Sequence, residues 1–215
     1  MNEYIANYMW GFNPAEKLPT PSDCILSNKA FFKNSVVLTP ENIEPLIRHF
    51  PDLVKLWHSI PHWIIKADLG RLIYIYFHGH FYFDVDCEIN KEISVNSGNF
   101  LVLFTEIILS DVRHLGPREC KSPENVLRIA NYAFGTNVLR HPFLHEVILE
   151  CTSRLDQLIY SGVAKIYQHD ILWVCGPDVI TTIYHKSKHK YPELILLDTS
   201  YLSHLCRGSW RQSGT

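Results

Sequence analysis

Apolar residues recur along this chain with two different periods, and the points where the period changes predict its elements. Runs rich in β-branched and aromatic residues predict strands at Glu3 to Trp10 (EYIANYMW), Ser35 to Leu38 (SVVL), Phe81 to Phe83, Asn99 to Phe104 (NFLVLF), Val126 to Phe134 (VLRIANYAF), Asp170 to Cys175 (DILWVC) and Leu194 to Leu197. SVVL and NFLVLF read as buried strands, and Gly135 as the close of the Val126 strand. Three- and four-residue spacing predicts helices elsewhere. One runs from a cap at Ser22 or Asp23 through Ala30 to Lys33, and one from Thr39-Pro40-Glu41 to Phe50. A further turn or two starts at Pro51-Asp52 and carries Leu53, Leu56 and Trp57. The next begins at Pro61, sets Trp63, Ala67, Leu69, Leu72, Ile73, Tyr76 and Phe77 on one stripe, and is broken by Gly79. Later helices open at His141-Pro142, reaching about Tyr160, and at Gly176-Pro177-Asp178, reaching about Lys188.

Strands alternating with helices imply an α/β fold with a mainly parallel central sheet flanked by helices. The chain shows no internal repeat, low-complexity stretch or dividing linker, so residues 1–215 read as one domain. Residues 11–21 and 111–125, with their prolines, read as loops, the second of them at the active face. Ligands of such sheets bind beyond the carboxyl ends of the strands, where Trp10, Asp84 and Asp86 fall.

Composition narrows the classes. A chain of 215 residues with 47% apolar and 20% charged residues can bury a full core, and its net charge of −2 gives no reason to expect a nucleic-acid or anionic-membrane partner. The six cysteines lack any C-x-x-C spacing, which favours free thiols in a reducing compartment over disulfides or zinc. The 12 histidines are scattered and read as mostly surface residues. The longest apolar run, Phe100 to Leu109, is short and carries Glu106, so no membrane span is expected. Nor is a secretory signal, since the first residues lack a basic and an apolar region.

Chemistry concentrates between Pro61 and Glu88. Asp68 and Arg71 are three apart on the predicted helix and share a face. The aromatic strand Phe81-Tyr82-Phe83 ends in Asp84-Val85-Asp86. Carboxylates at i and i+2 of a strand point to one side, roughly 7 Å apart at the Cα atoms. Two hard oxygen donors converging on a point suit Mg²⁺ or Mn²⁺, and such an ion suits a pyrophosphate. An isolated Asp-x-Asp is most often a solvated turn. Here it follows a strongly apolar strand, where charge without a counter-ion would be costly to bury.

The order Ala67-Asp68-x-x-Arg71, then Gly79-x-Phe81-Tyr82-x-Asp84-x-Asp86, resembles the DXD signature of GT-A glycosyltransferases. It is most similar to the Och1-like mannosyltransferase and capsular-polysaccharide transferase group, with the clostridial glucosylating toxins as distant relatives. The ending His204-Leu205-Cys206-Arg207-Gly208-Ser209-Trp210 resembles that group's His-x-x-x-Gly-Ser-Trp. In size the chain resembles glycosyltransferase domains of large algal DNA viruses. One departure is His80, where the family usually has the second glycine of a Gly-Gly pair.

The resemblance implies a GT-A, Rossmann-like fold and a retaining sugar transfer from a nucleotide donor to a glycan or glycoprotein hydroxyl. It implies Mn²⁺ or Mg²⁺, and a donor that is by default a UDP-sugar such as UDP-glucose, with GDP-mannose as competitor. Asp86 becomes the more direct metal ligand, Asp84 a ligand through water or a contact to ribose and sugar, and His204 a further ligand. Asp68 and Arg71 would hold the sugar, Asn131 would face it, and Ser209 and Trp210 would close over the diphosphate. Trp10 either stacks on the uracil or belongs to the core. Glu106 and Asp198 are the remaining candidates for a carboxylate nucleophile. Och1-like enzymes of the secretory pathway carry an N-terminal anchor; this sequence has none, which points to a cytosolic enzyme, in the host cytoplasm if viral, or to an excised catalytic domain. Two other classes stay open: a metal-dependent nucleotidyl- or phosphotransferase, for which no Gly-rich phosphate loop or third nearby carboxylate is apparent, and a catalytically silent sugar-nucleotide-binding module.

Overall fold

In a computed structural model that describes residues 2–15, 19–95, 97–162 and 165–206, eight strands form two sheets. The strands are β1 (Asn2–Met9), β2 (Phe32–Leu38), β3 (His80–Phe83), β4 (Cys87–Ile89), β5 (Leu101–Ile108), β6 (Leu127–Thr136), β7 (Leu194–Leu197) and β8 (Leu202–His204). Six of them make a sheet of order β2-β1-β3-β6-β5-β7, while β4 and β8 pair as a separate ribbon. β1 is parallel to β2 and β3, and β5 to β7; β6 runs antiparallel to β3 and β5. Five of the six strands therefore point one way, and their carboxyl ends share one edge.

The helices are α1 (Asp23–Ser27), α2 (Pro40–Ile47), α3 (Pro51–Trp57), α4 (Trp63–His78), α5 (Pro142–Tyr160), α6 (Gln168–Val174) and α7 (Pro177–Ser187). Strand alternation divides the core. Tyr82, Leu101 and Leu103 face the larger cluster, which takes in α2 to α7. Phe81, Phe83, Phe100, Val102 and Phe104 face the other side, covered by Ile25 of α1 and by Cys87, Ile89 and Leu202 of the ribbon.

Helix starts follow local chemistry. At α2 the Thr39 N–H donates to Asn42 Oδ1 at 2.8 Å, and at α4 the His62 Nδ1 accepts the Ile64 N–H at 3.2 Å. Gly79 ends α4 at φ 67°, and His80 follows at φ 70°. Two successive left-handed residues explain why glycine suits both places. His80 offsets part of its cost by accepting the Ile5 N–H on Nδ1 at 3.4 Å.

Several expectations are corrected. Asp170 to Cys175 is not a strand: Gln168–Val174 is helical, started by Tyr167, whose N–H donates to Asp170 Oδ2 at 2.8 Å. The Ser35 to Leu38 strand is an outer strand, with Val36 and Val37 exposed. β6 does not close at Gly135 but runs through it, because a Cβ there would lie 2.3 Å from Phe81 Cδ1 and only glycine leaves room for the ring. The first helix ends at Ser27, with a 3₁₀ turn to Ala30, and does not reach Lys33. His141 is fully buried, unlike the surface placement expected of the histidines.

Candidate functional site

The site is assembled at the carboxyl edge of the sheet from segments far apart in sequence. β3 alternates, so Tyr82 and the following Asp84 point to the helical side, where α4 presents Arg71. The Arg71 guanidinium lies over the Tyr82 ring and donates from Nη1 to Asp84 Oδ1 at 2.6 Å and to the Asn131 carbonyl at 3.1 Å. Its Nη2 pairs with Asp68, one turn earlier on α4. Tyr82 donates its hydroxyl to the same Asp84 oxygen at 2.6 Å. One carboxylate oxygen of Asp84 is thus held by a cation and a phenol, and the other faces His204.

Asp84 and Asp86 lie on the turn after β3, not on the strand itself. That turn leads into β4, and β4 pairs antiparallel with β8, setting Cys87 opposite His204. The Leu205 N–H donates to the Asp86 carbonyl at 3.0 Å, closing the ribbon. A late segment of the chain is thereby laid beside the acidic pair. His204 Nε2 comes within 3.3 Å of Asp86 Oδ1 and 3.9 Å of Asp84 Oδ2. The imidazole stacks on Tyr132 with ring centroids 4.1 Å apart, and Cys206 Sγ lies 3.7 Å from its Nδ1. These contacts turn Nε2 toward the carboxylates.

One ligand atom from each of Asp84, Asp86 and His204 lies within 4.8 Å of the others, the spacing of a metal's inner shell. Two hard carboxylates and one imidazole fit Mn²⁺ or Mg²⁺ better than a thiophilic ion. The local electrostatics agree. Burial raises the Asp84 pKa above its ordinary value, and this outweighs the lowering by Arg71 and His204. The site thus still favours added positive charge. Burial pulls Arg71 down, yet the neighbouring Asp84 and other groups raise it on balance, so the guanidinium stays charged.

A cavity of about 300 Å³ opens over this cluster. Trp10, at the end of β1, forms part of its wall and is half-buried; it is not a core residue. Asp68 and Arg71 lie among the lining residues, 4% and 5% exposed, with Asp68 also accepting from Cys175 Sγ at 3.5 Å. Asn131 and Tyr132 reach the cavity from β6, which spends residues 129–134 where β5 spends 103–105. That bulge re-aims the strand toward the site. Ser209 and Trp210 lie outside the described residues.

Sequence reasoning missed Tyr82 and Tyr132. Tyr82 was legible as the same-side neighbour of Asp84 at i−2; Tyr132 had no signal beyond its place next to Asn131. Third and fourth carboxylates, Asp68 and Glu106, line the same cavity, contrary to the expectation that none lies near. Asp198 is exposed on the surface, bonded to Ser200, and is not among the lining residues. The loop at 111–125 folds into two 3₁₀ turns and does not line the cavity.

No protein-family profile matches the chain, and no curated protein matches it in sequence. Among solved structures it is similar to PaToxG glycosyltransferase, with a TM-score of 0.59 and 11% identity over 88% of this chain and 71% of that one. The chain therefore shares the α/β fold of a glycosyltransferase: a six-stranded central sheet flanked by helices. Neither the Och1-like nor the viral affiliation gains support from this likeness. Among the described residues, no helix is long and apolar enough to cross a membrane.

Proposed function

We propose that this protein is a divalent-metal-dependent glycosyltransferase that moves a sugar from a nucleotide donor to a hydroxyl of a glycan or glycoprotein acceptor. The observation that carries the reading is the convergence of Asp84, Asp86 and His204 beyond the strand ends, on the wall of one cavity. The lining adds a charge argument. Among the described lining residues, Asp68, Asp84 and Asp86 outnumber the single guanidinium of Arg71, Glu106 being paired with Arg128, so a diphosphate would meet net negative charge unless a cation came with it. Bound there, Mn²⁺ or Mg²⁺ would offset the charge that builds on a departing diphosphate.

The protein's own groups then have distinct tasks. Trp10 offers an indole face for the base; such stacking contributes about 1–3 kcal/mol. Arg71 holds one oxygen of Asp84 in place and presents donors toward sugar or phosphate, while Asp68 fixes the guanidinium and accepts from sugar hydroxyls. Asn131 faces the sugar from β6. Tyr132 fixes the plane of His204. By the motif resemblance Ser209 and Trp210 contribute contacts to the diphosphate. By the same resemblance the donor is a UDP-sugar such as UDP-glucose. The free thiols accord with a cytoplasmic setting.

Calorimetric titration of UDP with and without Mn²⁺ tests the reading, alongside UDP release from UDP-glucose. Binding is expected only with Mn²⁺ and is lost in Asp86→Asn, whose melting temperature stays near that of the parent. Equal UDP affinity in the absence of metal refutes the charge argument. Release of pyrophosphate in place of UDP identifies a nucleotidyltransferase, and metal-dependent binding without turnover of any nucleotide sugar identifies a silent binding module.

A further inference from the structure

Resting on the proposed sugar transfer, we infer that Glu106 is the acceptor-side residue of this cavity, the carboxylate that accepts the hydrogen bond of the incoming hydroxyl. The strand order places it. The cavity is lined from four adjacent strands in the order β1, β3, β6, β5, with Trp10 and Asp84 just past the ends of β1 and β3 and Asn131 and Glu106 within β6 and β5. At about 4.8 Å per strand, Glu106 lies roughly 14 Å across the sheet from the Trp10 strand and roughly 10 Å from the Asp84 strand. A donor with its base at Trp10 and its diphosphate at Asp84 and Asp86 extends its sugar toward Asn131. The next position along the edge is that of the attacking oxygen, and Glu106 is the side chain there. The hydroxyl oxygen bonds the anomeric carbon as the bond from that carbon to the diphosphate breaks. The nucleoside diphosphate leaves with the negative charge, and the Glu106 carboxylate takes the hydroxyl proton.

The carboxylate is held for such a task. Arg128 is 4% exposed and sits among Glu119, Asp178 and Glu106, with its Nε 3.7 Å from Glu106 Oε2. Asp178 is fixed in turn by Arg154 Nη1 at 2.6 Å and by the Cys120 N–H at 3.0 Å. A buried ionic network thus backs Glu106 from behind, while its side chain, 28% exposed, opens to the cavity. Arg128 is a positioning residue in this arrangement and touches no substrate.

Water occupies the acceptor position when a glycosyltransferase hydrolyses its donor, so the test needs no identified acceptor. Release of UDP or GDP is measured in Mn²⁺ with UDP-glucose, UDP-galactose, UDP-N-acetylglucosamine and GDP-mannose, and donor affinity by titration. Glu106→Gln keeps the shape and removes the charge; Glu106→Asp keeps the charge and withdraws it. Both are expected to bind the donor as the parent does, while kcat for hydrolysis falls roughly ten- to hundredfold in Glu106→Gln, the loss of one hydrogen bond to a charged group. Glu106→Asp should retain more activity than Glu106→Gln. A hydrolysis rate within twofold of the parent in both variants overturns the assignment, as does a loss of donor affinity as large as the loss in kcat. If the unaltered protein releases nucleotide from none of the four donors, the glycosyltransferase reading fails first, and the role of Glu106 with it.

Discussion

Arg71→Met removes a cation from between two carboxylates. The residue is 5% exposed and donates to Asp84 and the Asn131 carbonyl while pairing with Asp68. Methionine fills much of the same volume, so the loss is chiefly electrostatic. Removing one partner of a buried ion pair costs about 3–5 kcal/mol, because the remaining charge stays buried without a counter-ion. For a chain of this length each kcal/mol shifts the melting temperature by about 2–4 °C, so a fall of roughly 6–20 °C is expected. Scanning calorimetry without added metal measures it. The same scan in Mn²⁺ examines the site: with Arg71 gone, Asp84 presents more of its charge to the ion, and Mn²⁺ should raise the melting temperature of the variant more than that of the parent. A second variant, Asp68→Asn with Arg71→Met, removes one of the stranded carboxylates and should recover part of the loss. A fall of less than about 2 °C in Arg71→Met refutes the ion-pair reasoning. An Mn²⁺ shift no larger than the parent's refutes the link between Arg71 and the metal cluster.

Three further outcomes are expected. Gly135→Ala sets a methyl 2.3 Å from Phe81 Cδ1 and 2.6 Å from Cγ, so denaturant midpoints should drop by the equivalent of about 1–3 kcal/mol or more; an unchanged midpoint contradicts the packing at β6. His80→Gly should be more stable than His80→Ala by about 1 kcal/mol, since both lose the Ile5 bond but only alanine keeps a Cβ at φ 70°. Glu146 is pushed up by burial, but hydrogen bonds from Ser187, Tyr191 and Lys190 outweigh this and hold it at about 2 against an ordinary 4.5. Its contribution is therefore complete above pH 4.5 and disappears as pH falls toward 2. The partly exposed side chain brings the value to roughly 1–2 kcal/mol. The gap in melting temperature between the parent and Glu146→Gln should narrow from pH 7 to pH 3, and a constant gap counts against it.

Most elements were legible because their signals are local. Pro142–Tyr160 and Leu194–Leu197 appear where periodicity and composition put them, and Gly79 ends α4 as its position after the apolar stripe predicts. DILWVC failed because a six-residue apolar run fits a strand or a buried helix equally well. The cap at Tyr167 and Asp170, together with burial of Ile171 and Val174, decided for the helix.

The sequence by itself determined an α/β chain, the adjacency of Asp68 and Arg71, and an acidic pair following an aromatic strand. These rest on neighbours three or four positions apart, whose geometry a helix or strand settles alone. Only the tertiary structure decided which distant residues meet. His204 reaches Asp84 and Asp86 because β8 pairs with β4, and Glu106 shares their cavity because β5 lies two places along the sheet. The motif resemblance had named His204, but no local pattern encodes its approach. Pairings across more than a hundred residues follow from which apolar faces bury one another, and that is a property of the whole core.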